Sequence, residues 1–183
     1  MILKTWEIAS VNHLITPDEN FEITLDSPAL EIFTDFKKTE PLLIEQSIDL
    51  VTAEDLMKKT HVKLKLVMDH GNFVGTLAYE DLISEKAMSR ANHMKRSDIF
   101  VNEVMTPRSY LKAIQFEDVK RAKIRDIVET LQNEGKQHFL VVDGEDHCIR
   151  GIFSASDIAR RLHVPINIDR VSTFIDIYKA LRH

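Results

Sequence analysis

Val141-Val142-Asp143-Gly144-Glu145-Asp146-His147-Cys148-Ile149-Arg150-Gly151-Ile152-Phe153-Ser154-Ala155-Ser156-Asp157-Ile158 reads as strand, tight turn, strand and helix. Gly144 among acidic residues marks the turn. Gly151 is a lone glycine inside the second strand, which marks a place where backbone or ligand comes close. Ser154 stands at the strand-to-helix junction, a position suited to an N-cap. Asp157 follows three residues later in the first helical turn. A hydroxyl and a carboxylate so placed can bind a ribose or a phosphate, or cap a helix.

The same order of parts occurs upstream, in Leu66-Val67-Met68-Asp69-His70-Gly71-Asn72-Phe73-Val74-Gly75-Thr76-Leu77-Ala78-Tyr79-Glu80-Asp81-Leu82. Asp69 matches Asp143, Gly75 matches Gly151 and Asp81 matches Asp157. The offset is 74 residues at the first pair and 76 at the last, so the second copy has a turn two residues longer. Four of the five glycines fall inside the two quoted stretches, and Gly135 lies just upstream of the second. A repeat constrains architecture more firmly than any single motif.

The 183 residues allow one domain or two small ones, and the repeat favours two similar halves sharing a core. An apolar fraction of 44% is ample for a globular protein. The net charge of −5 argues against a general nucleic-acid binder. The single cysteine, Cys148, lies on a predicted strand and has no internal partner, so a reducing compartment fits and buried packing is its ordinary role. The N-terminal residues lack a long apolar run, and no stretch reaches 18 uncharged apolar residues. These features point to a cytoplasmic protein without a membrane span.

Residues 1–26 suggest a short strand and an arm. Ser27-Pro28 opens a short helix through Phe33. Leu42-Leu43-Ile44 is a strand, and Thr52 is the candidate cap of the helix that follows. Val62 to Asp69 alternates as a strand with one buried face. A long connector helix is expected from about Tyr79 to Arg96. Tyr110 to Phe116 is a strand, and Val119, Ala122, Ile124, Ile127, Val128 and Leu131 have helical spacing, with Gly135 as the stop. Pro165 breaks the last helix of the repeat. Ser172 caps a C-terminal helix with Phe174, Ile175, Tyr178 and Leu181 in a stripe.

Each half therefore reads strand–helix–strand–strand–helix. With Val104-Met105-Thr106-Pro107 opening the second half and Gly151-Ile152-Phe153-Ser154-Ala155-Ser156-Asp157 closing it, the pattern resembles a cystathionine-β-synthase (CBS) domain. The second copy spans about 99–163 and the more divergent first copy about 30–90, where Thr34-Asp35 stands in place of Met-Thr-Pro. The resemblance implies an α/β (α+β) fold: two tandem β-α-β-β-α CBS repeats, a Bateman module, packed through their sheets with pseudo-two-fold symmetry. Its divisions are 1–29 as arm and short helix, 30–98 as the first domain with its connector, 99–165 as the second domain and 166–183 as the C-terminal helix.

In that family the clefts between paired domains commonly bind AMP, ADP, ATP or S-adenosylmethionine. Motif by motif, the resemblance nominates Thr106, Ser154 and Asp157 in the second copy, with Phe139 and Leu140 as an adenine wall. Thr34 and Asp81 are the first-copy counterparts. A carboxylate accepts two hydroxyl hydrogen bonds in a fork, which suits a ribose diol, and a helix N-terminus offers free N–H groups to phosphate. Ser154 as a cap and Asp157 at the positive helix end are the plainer roles. Ala78 stands where the first copy should carry Ser or Thr, so one good site is expected rather than two.

Lys120, Arg121, Lys123 and Arg125 crowd the predicted start of a helix, where cations oppose the dipole and call for an anion. Arg121, with Arg160 or Arg161, is the candidate for a di- or triphosphate; a solvated basic face is the alternative. The function expected is a regulatory adenine-nucleotide sensor, a homodimer acting on an unidentified protein partner in trans. The competing reading is a structural or interaction protein with vestigial clefts. No His-x-x-x-His spacing, phosphate loop or nucleophile elbow points to an enzyme or a metal site.

Overall fold

The structure is a computed structural model that describes residues 23–132 and 134–163. The expected C-terminal helix and most of the N-terminal arm lie outside the described residues. Among the described residues, eight strands form two four-stranded sheets. The strands are β1 (Thr34–Asp35), β2 (Leu43–Glu45), β3 (Leu64–Asp69), β4 (Asn72–Ala78), β5 (Thr106–Pro107), β6 (Ala113–Gln115), β7 (His138–Asp143) and β8 (Cys148–Ser154). The helices are α1 (Leu50–Lys59), α2 (Glu85–Ala91), α3 (Val101–Val104), α4 (Phe116–Val119), α5 (Ile124–Gln132) and α6 (Ala155–Arg161). One sheet runs β2-β3-β4-β5 and the other β1-β8-β7-β6.

The two sheets repeat each other in detail. β2 pairs parallel with β3, as β6 does with β7. β3–β4 and β7–β8 are antiparallel hairpins, irregular in register at Val67/Met68 and at Val141/Val142, the same point in each copy. The first hairpin turns on His70 and Gly71, both at positive φ as a tight two-residue turn requires. The second carries the two extra residues seen in the sequence, and Asp143 steadies it by accepting from the backbone N–H groups of Glu145 and Asp146.

The fourth strand of each sheet comes from the other half. β1 pairs antiparallel with β8, Thr34 opposite Ile152 and Asp35 opposite Gly151. β5 pairs with β4 in the same way, Thr106 opposite Thr76 and Pro107 opposite Gly75. The segments leading into these strands follow them. Ala29 and Ile32 are buried with Val119, Ile124, Val141 and Phe153 in one core. Ile99, Val101 and Val104 are buried with Leu50, Met57, Val67 and Leu77 in the other.

This exchange explains both strand glycines. A Cβ on Gly151 would sit 2.2 Å from the carbonyl oxygen of Thr34, and one on Gly75 would sit 2.4 Å from that of Thr106. The close partner at each is crossing backbone, which cannot swing aside as a side-chain tip can.

Several local expectations change. No single helix spans 79–96. A 3-10 turn over Tyr79–Ile83 ends at Ser84, whose hydroxyl donates to the Asp81 carbonyl and accepts from the N–H of Ala87, capping the separate α2. Asp49 rather than Thr52 caps α1, accepting from the N–H groups of Val51 and Thr52 and from the Thr52 hydroxyl. The helix predicted from Val119 is divided into α4 and α5 because the exchanged arm docks at the break. The N–H groups of Ile124 and Arg125 donate to the carbonyls of Ser27 and Leu25. β3 is covered on both faces, with Lys65 as well as Leu66 and Val67 buried, where alternation had suggested one buried face. Cys148 is exposed rather than packed.

One side chain pins the exchange in the second sheet. The Arg150 guanidinium donates to both oxygens of Asp35 (2.7 and 2.9 Å) and to Asp143 (3.3 Å), and lies 4.2 Å from the centroid of the Phe116 ring. The two-pronged bond from Arg150 is the main reason the Asp35 carboxyl is lowered to about 2. Phe33 completes the joint, its ring centroid 5.3 Å from that of Phe153 and 5.8 Å from that of Phe116. Val74 and Pro107 occupy the matching places in the first sheet, so no such pair forms there.

Candidate functional site

Two clefts open where the halves meet, and both halves line each of them. The smaller, of about 330 Å³, is lined by Thr76, Ala78, Asp81, Thr106 and Gln137 among others; we call it the Asp81 cleft. The larger, of about 400 Å³, is lined by Thr34, Ile152, Ser154, Asp157 and Arg160 among others; we call it the Asp157 cleft. Both volumes lie in the range of small-ligand pockets. Leu64 and His138, which occupy matching positions in the two copies, line both clefts.

The strand exchange decides which nominated residues meet. Thr106 enters on β5 beside β4 and so lines the Asp81 cleft, away from Ser154 and Asp157. Thr34 enters on β1 beside β8 and lines the cleft with Ser154 and Asp157. The grouping of Thr106 with Ser154 and Asp157 therefore gives way to Thr34 with Ser154 and Asp157. Phe139 lines the Asp81 cleft, whereas Leu140 is buried and lines neither of the two clefts.

Arg121 is exposed in the turn between α4 and α5 and lines neither cleft. The anion its basic neighbours call for comes from the chain itself. Asp26 takes Lys123 at 3.1 Å and also Arg125, and Glu117 takes Lys120. The Asp126 carboxylate accepts the N–H of Lys123 at 2.9 Å.

The two aspartates have different surroundings. Asp81 accepts the backbone N–H of Ala78 at 2.8 Å, and burial raises its pKa above the usual carboxylate value. It spends one oxygen on holding its own turn. Asp157 pairs with Arg160 one helical turn on, and both side chains reach solvent. Ser154 holds the N-cap position of α6, yet its side chain makes no capping hydrogen bond. That hydroxyl is left for the cleft.

Charge and shape differ as well. Lys112 donates to both oxygens of Glu134 at 2.9 Å, tying two lining residues of the Asp81 cleft together. Gln137 leaves its buried Oε1 without a hydrogen-bond partner among the described residues. In the Asp157 cleft, Lys63 and Arg160 supply cations, with His61 and Glu40 also on the wall. His61 has φ +52° at the end of α1, where the other copy has Gly135 at +60°. His138 is held neutral, its pKa lowered to about 4 by burial although Asp157 pulls it upward. Sequence reading missed His61, Lys63 and His138. No spacing marks them; they reach the cleft because the approach to β3 and the first residue of β7 both line it.

Among the described residues no cluster of His, Cys, Asp and Glu could hold a metal ion, and no helix is long and apolar enough to cross a membrane.

Residues 119–164 match the family model of the CBS domain. No curated protein matches the chain in sequence. Among solved structures, the chain is similar to a conserved CBS domain protein of unknown function, TA0289 from Thermoplasma acidophilum. The TM-score is 0.56 at 19% identity, over 82% of this chain and 77% of that one. It is similar to the CBS-pair protein CBSX2 of Arabidopsis thaliana, solved in complex with AMP, with TM-score 0.52 and 18% identity over 73% and 94% of the two chains. It is also similar to the CBS domain of a bacterial CNNM/CorC family Mg2+ transporter in complex with ATP, with TM-score 0.55 and 16% identity over 76% and 89%. At these identities the likeness is one of fold. Residues 119–164 thus match a CBS domain, and the described residues have the α+β fold of CBS-pair structures, with the two repeats the sequence pattern implied and a fourth strand in each sheet supplied by the exchange.

Proposed function

We propose that this tandem CBS pair binds an adenine nucleotide in the Asp157 cleft and works as a regulatory module without a catalytic step of its own. One observation carries the reading. Thr34, Ser154 and Asp157 converge on a cleft of about 400 Å³, with the Ser154 hydroxyl not used as a cap. The carboxylate can accept a ribose diol and the hydroxyls can bond ribose or phosphate oxygens. Ile152 and Leu66 offer apolar wall for a base, and Lys63 and Arg160 offer charge for phosphate. AMP and ATP in the two related structures support the class of ligand. AMP, ADP and ATP fit that description, and S-adenosylmethionine shares the adenosine and offers a carboxylate in place of the phosphate. In this reading the protein is a cytoplasmic homodimer, and occupancy of the cleft alters its packing against a protein partner in trans.

The Asp81 cleft supports the second reading, a vestigial site within an interaction surface. Ala78 supplies no hydroxyl, and Asp81 is committed to the Ala78 N–H. The deciding experiment is thermal unfolding with each of the four ligands in parallel. A ligand at ~100 times its dissociation constant stabilises the folded state by about 2.7 kcal/mol. The expected result is a shift with at least one ligand that Asp157→Ala abolishes and Asp81→Ala leaves in place. No shift with any ligand sinks the sensor reading and leaves the interaction protein.

A further inference from the structure

We propose that Arg160 is a latch on the Asp157 cleft, one that makes the site select nucleotides over nucleosides; the inference rests on the function proposed above. The carboxylate proposed for the ribose is engaged by a cation of its own helix. Arg160 Nη2 donates to Asp157 Oδ1, and the two side chains share the wall of the cleft with Ser154 and Thr34. The Arg160 side chain is 71% exposed and that of Asp157 38%, so the pair is a surface pair one helical turn apart. Such pairs hold weakly and exchange with competing partners.

Chemistry sets the order of events. A ribose diol donates to the carboxylate with both hydroxyls and takes the place of the guanidinium. The displaced Arg160 then needs an acceptor. A phosphate on the same ligand supplies one in the planar geometry that a guanidinium fork matches. A nucleoside supplies none, so its binding must break the pair without replacing it.

The neighbouring arginine does not compete for the role, because Arg161 already donates to the Glu31 carbonyl at 2.6 Å in the exchanged arm. The remaining charged groups on the wall are Lys63 and Glu40. The Asp81 cleft lacks the device. Ala159 and Arg160 match Ile83 and Ser84 of the first copy, and Ser84 is spent on capping α2.

Calorimetric titration of the full chain with adenosine and with AMP tests the latch. Wild type should bind AMP roughly tenfold or more tightly than adenosine. Arg160→Ala should bind adenosine as tightly as wild type or up to about threefold more tightly, because Asp157 is freed, and should lose most of its preference for AMP, Lys63 retaining the remainder. Arg160→Lys should retain part of the preference, since it keeps the charge without the fork. An unchanged AMP-to-adenosine ratio in Arg160→Ala overturns the latch. So does an equal weakening of both ligands, which would make Arg160 a shaping residue only. Asp157→Asn separates the two levels: if it leaves both ligands unaffected, or if wild type binds neither, the reading of the cleft itself falls and the latch with it.

Discussion

The Asp81 and Asp157 clefts are made from the same parts by the same exchange of strands. Each has a threonine delivered by the other half, an aspartate three residues beyond a hairpin strand, and a wall formed by Leu64 and His138. They differ in what those parts have left to give. Asp81 is turned inward to the Ala78 N–H, while Asp157 faces an exposed cation. Ala78 ends its strand with a methyl group and Ser154 with a hydroxyl not used as a cap. The pseudo-symmetry is thus a property of the backbone, and the chemistry is set by which polar atoms the local structure consumes.

The largest effect should be common to both halves. Gly151→Ala would put a methyl group on the Thr34 carbonyl and among the Phe33 ring atoms. A loss of about 3 kcal/mol is expected in denaturant unfolding, and somewhat less for Gly75→Ala, where the clash is with the Thr106 carbonyl and Pro107. If Gly75→Ala cost nothing, the second exchange would not be required for the fold, and the symmetry of the two joints would be broken.

The next effect belongs to one copy alone. His138 is neutral in the folded state with a pKa of about 4, against 6.5 when unfolded. The unfolded chain therefore binds more protons between those values, and stability should fall as pH drops from 6.5 towards 4, by about 2 kcal/mol. His138→Leu, which copies Leu64 at the matching position, should flatten that limb of the stability curve while keeping the fold. An unchanged limb would mean that His138 is solvated well enough to titrate normally.

Asp35 tests the pinned joint. Its folded carboxyl titrates at about 2 and its unfolded one at 3.8, so the pair with Arg150 stabilises fully above the unfolded value and is lost as pH falls through the folded one. Asp35→Asn should cost about 1–2 kcal/mol at neutral pH, allowing for solvent screening, and should remove that acid limb. The first joint has no matching pair, so Pro107→Ala should show no comparable pH dependence.

The smallest effect concerns the turns before β3 and β7. Gly135 takes its positive φ freely, whereas His61 does so with a side chain. His61→Gly should stabilise the protein by about 0.5 kcal/mol, the relief of the left-handed conformation being partly offset by the entropy of the unfolded glycine. Thermal unfolding would detect a shift in that direction; a loss of stability would show that the His61 side chain contributes contacts to the wall of the Asp157 cleft.

Much of this was legible in the residues. The repeated order of strand, turn, strand and helix, with aspartates and glycines at matched offsets, determines two like halves, because period-2 alternation, turn glycines and helix-start acids are local properties of the chain. The longer second turn and the close approach at Gly151 were likewise written in the sequence. The missing hydroxyl at Ala78 is also a difference between the two halves that the sequence alone displays.

Only the tertiary structure decided which half each leading segment joins. Thr34-Asp35 and Thr106-Pro107 are too short to carry a pattern, and strand pairing is chosen by the edges that β8 and β4 offer rather than by any local signal. That choice moved Thr106 to one cleft and Thr34 to the other. It also placed Arg150 on Asp35, 115 residues away in the chain. Likewise, Asp81 and Asp157 follow the same pattern in sequence, and hydrogen bonding within the fold determines that only one of them keeps its carboxylate facing an exposed partner.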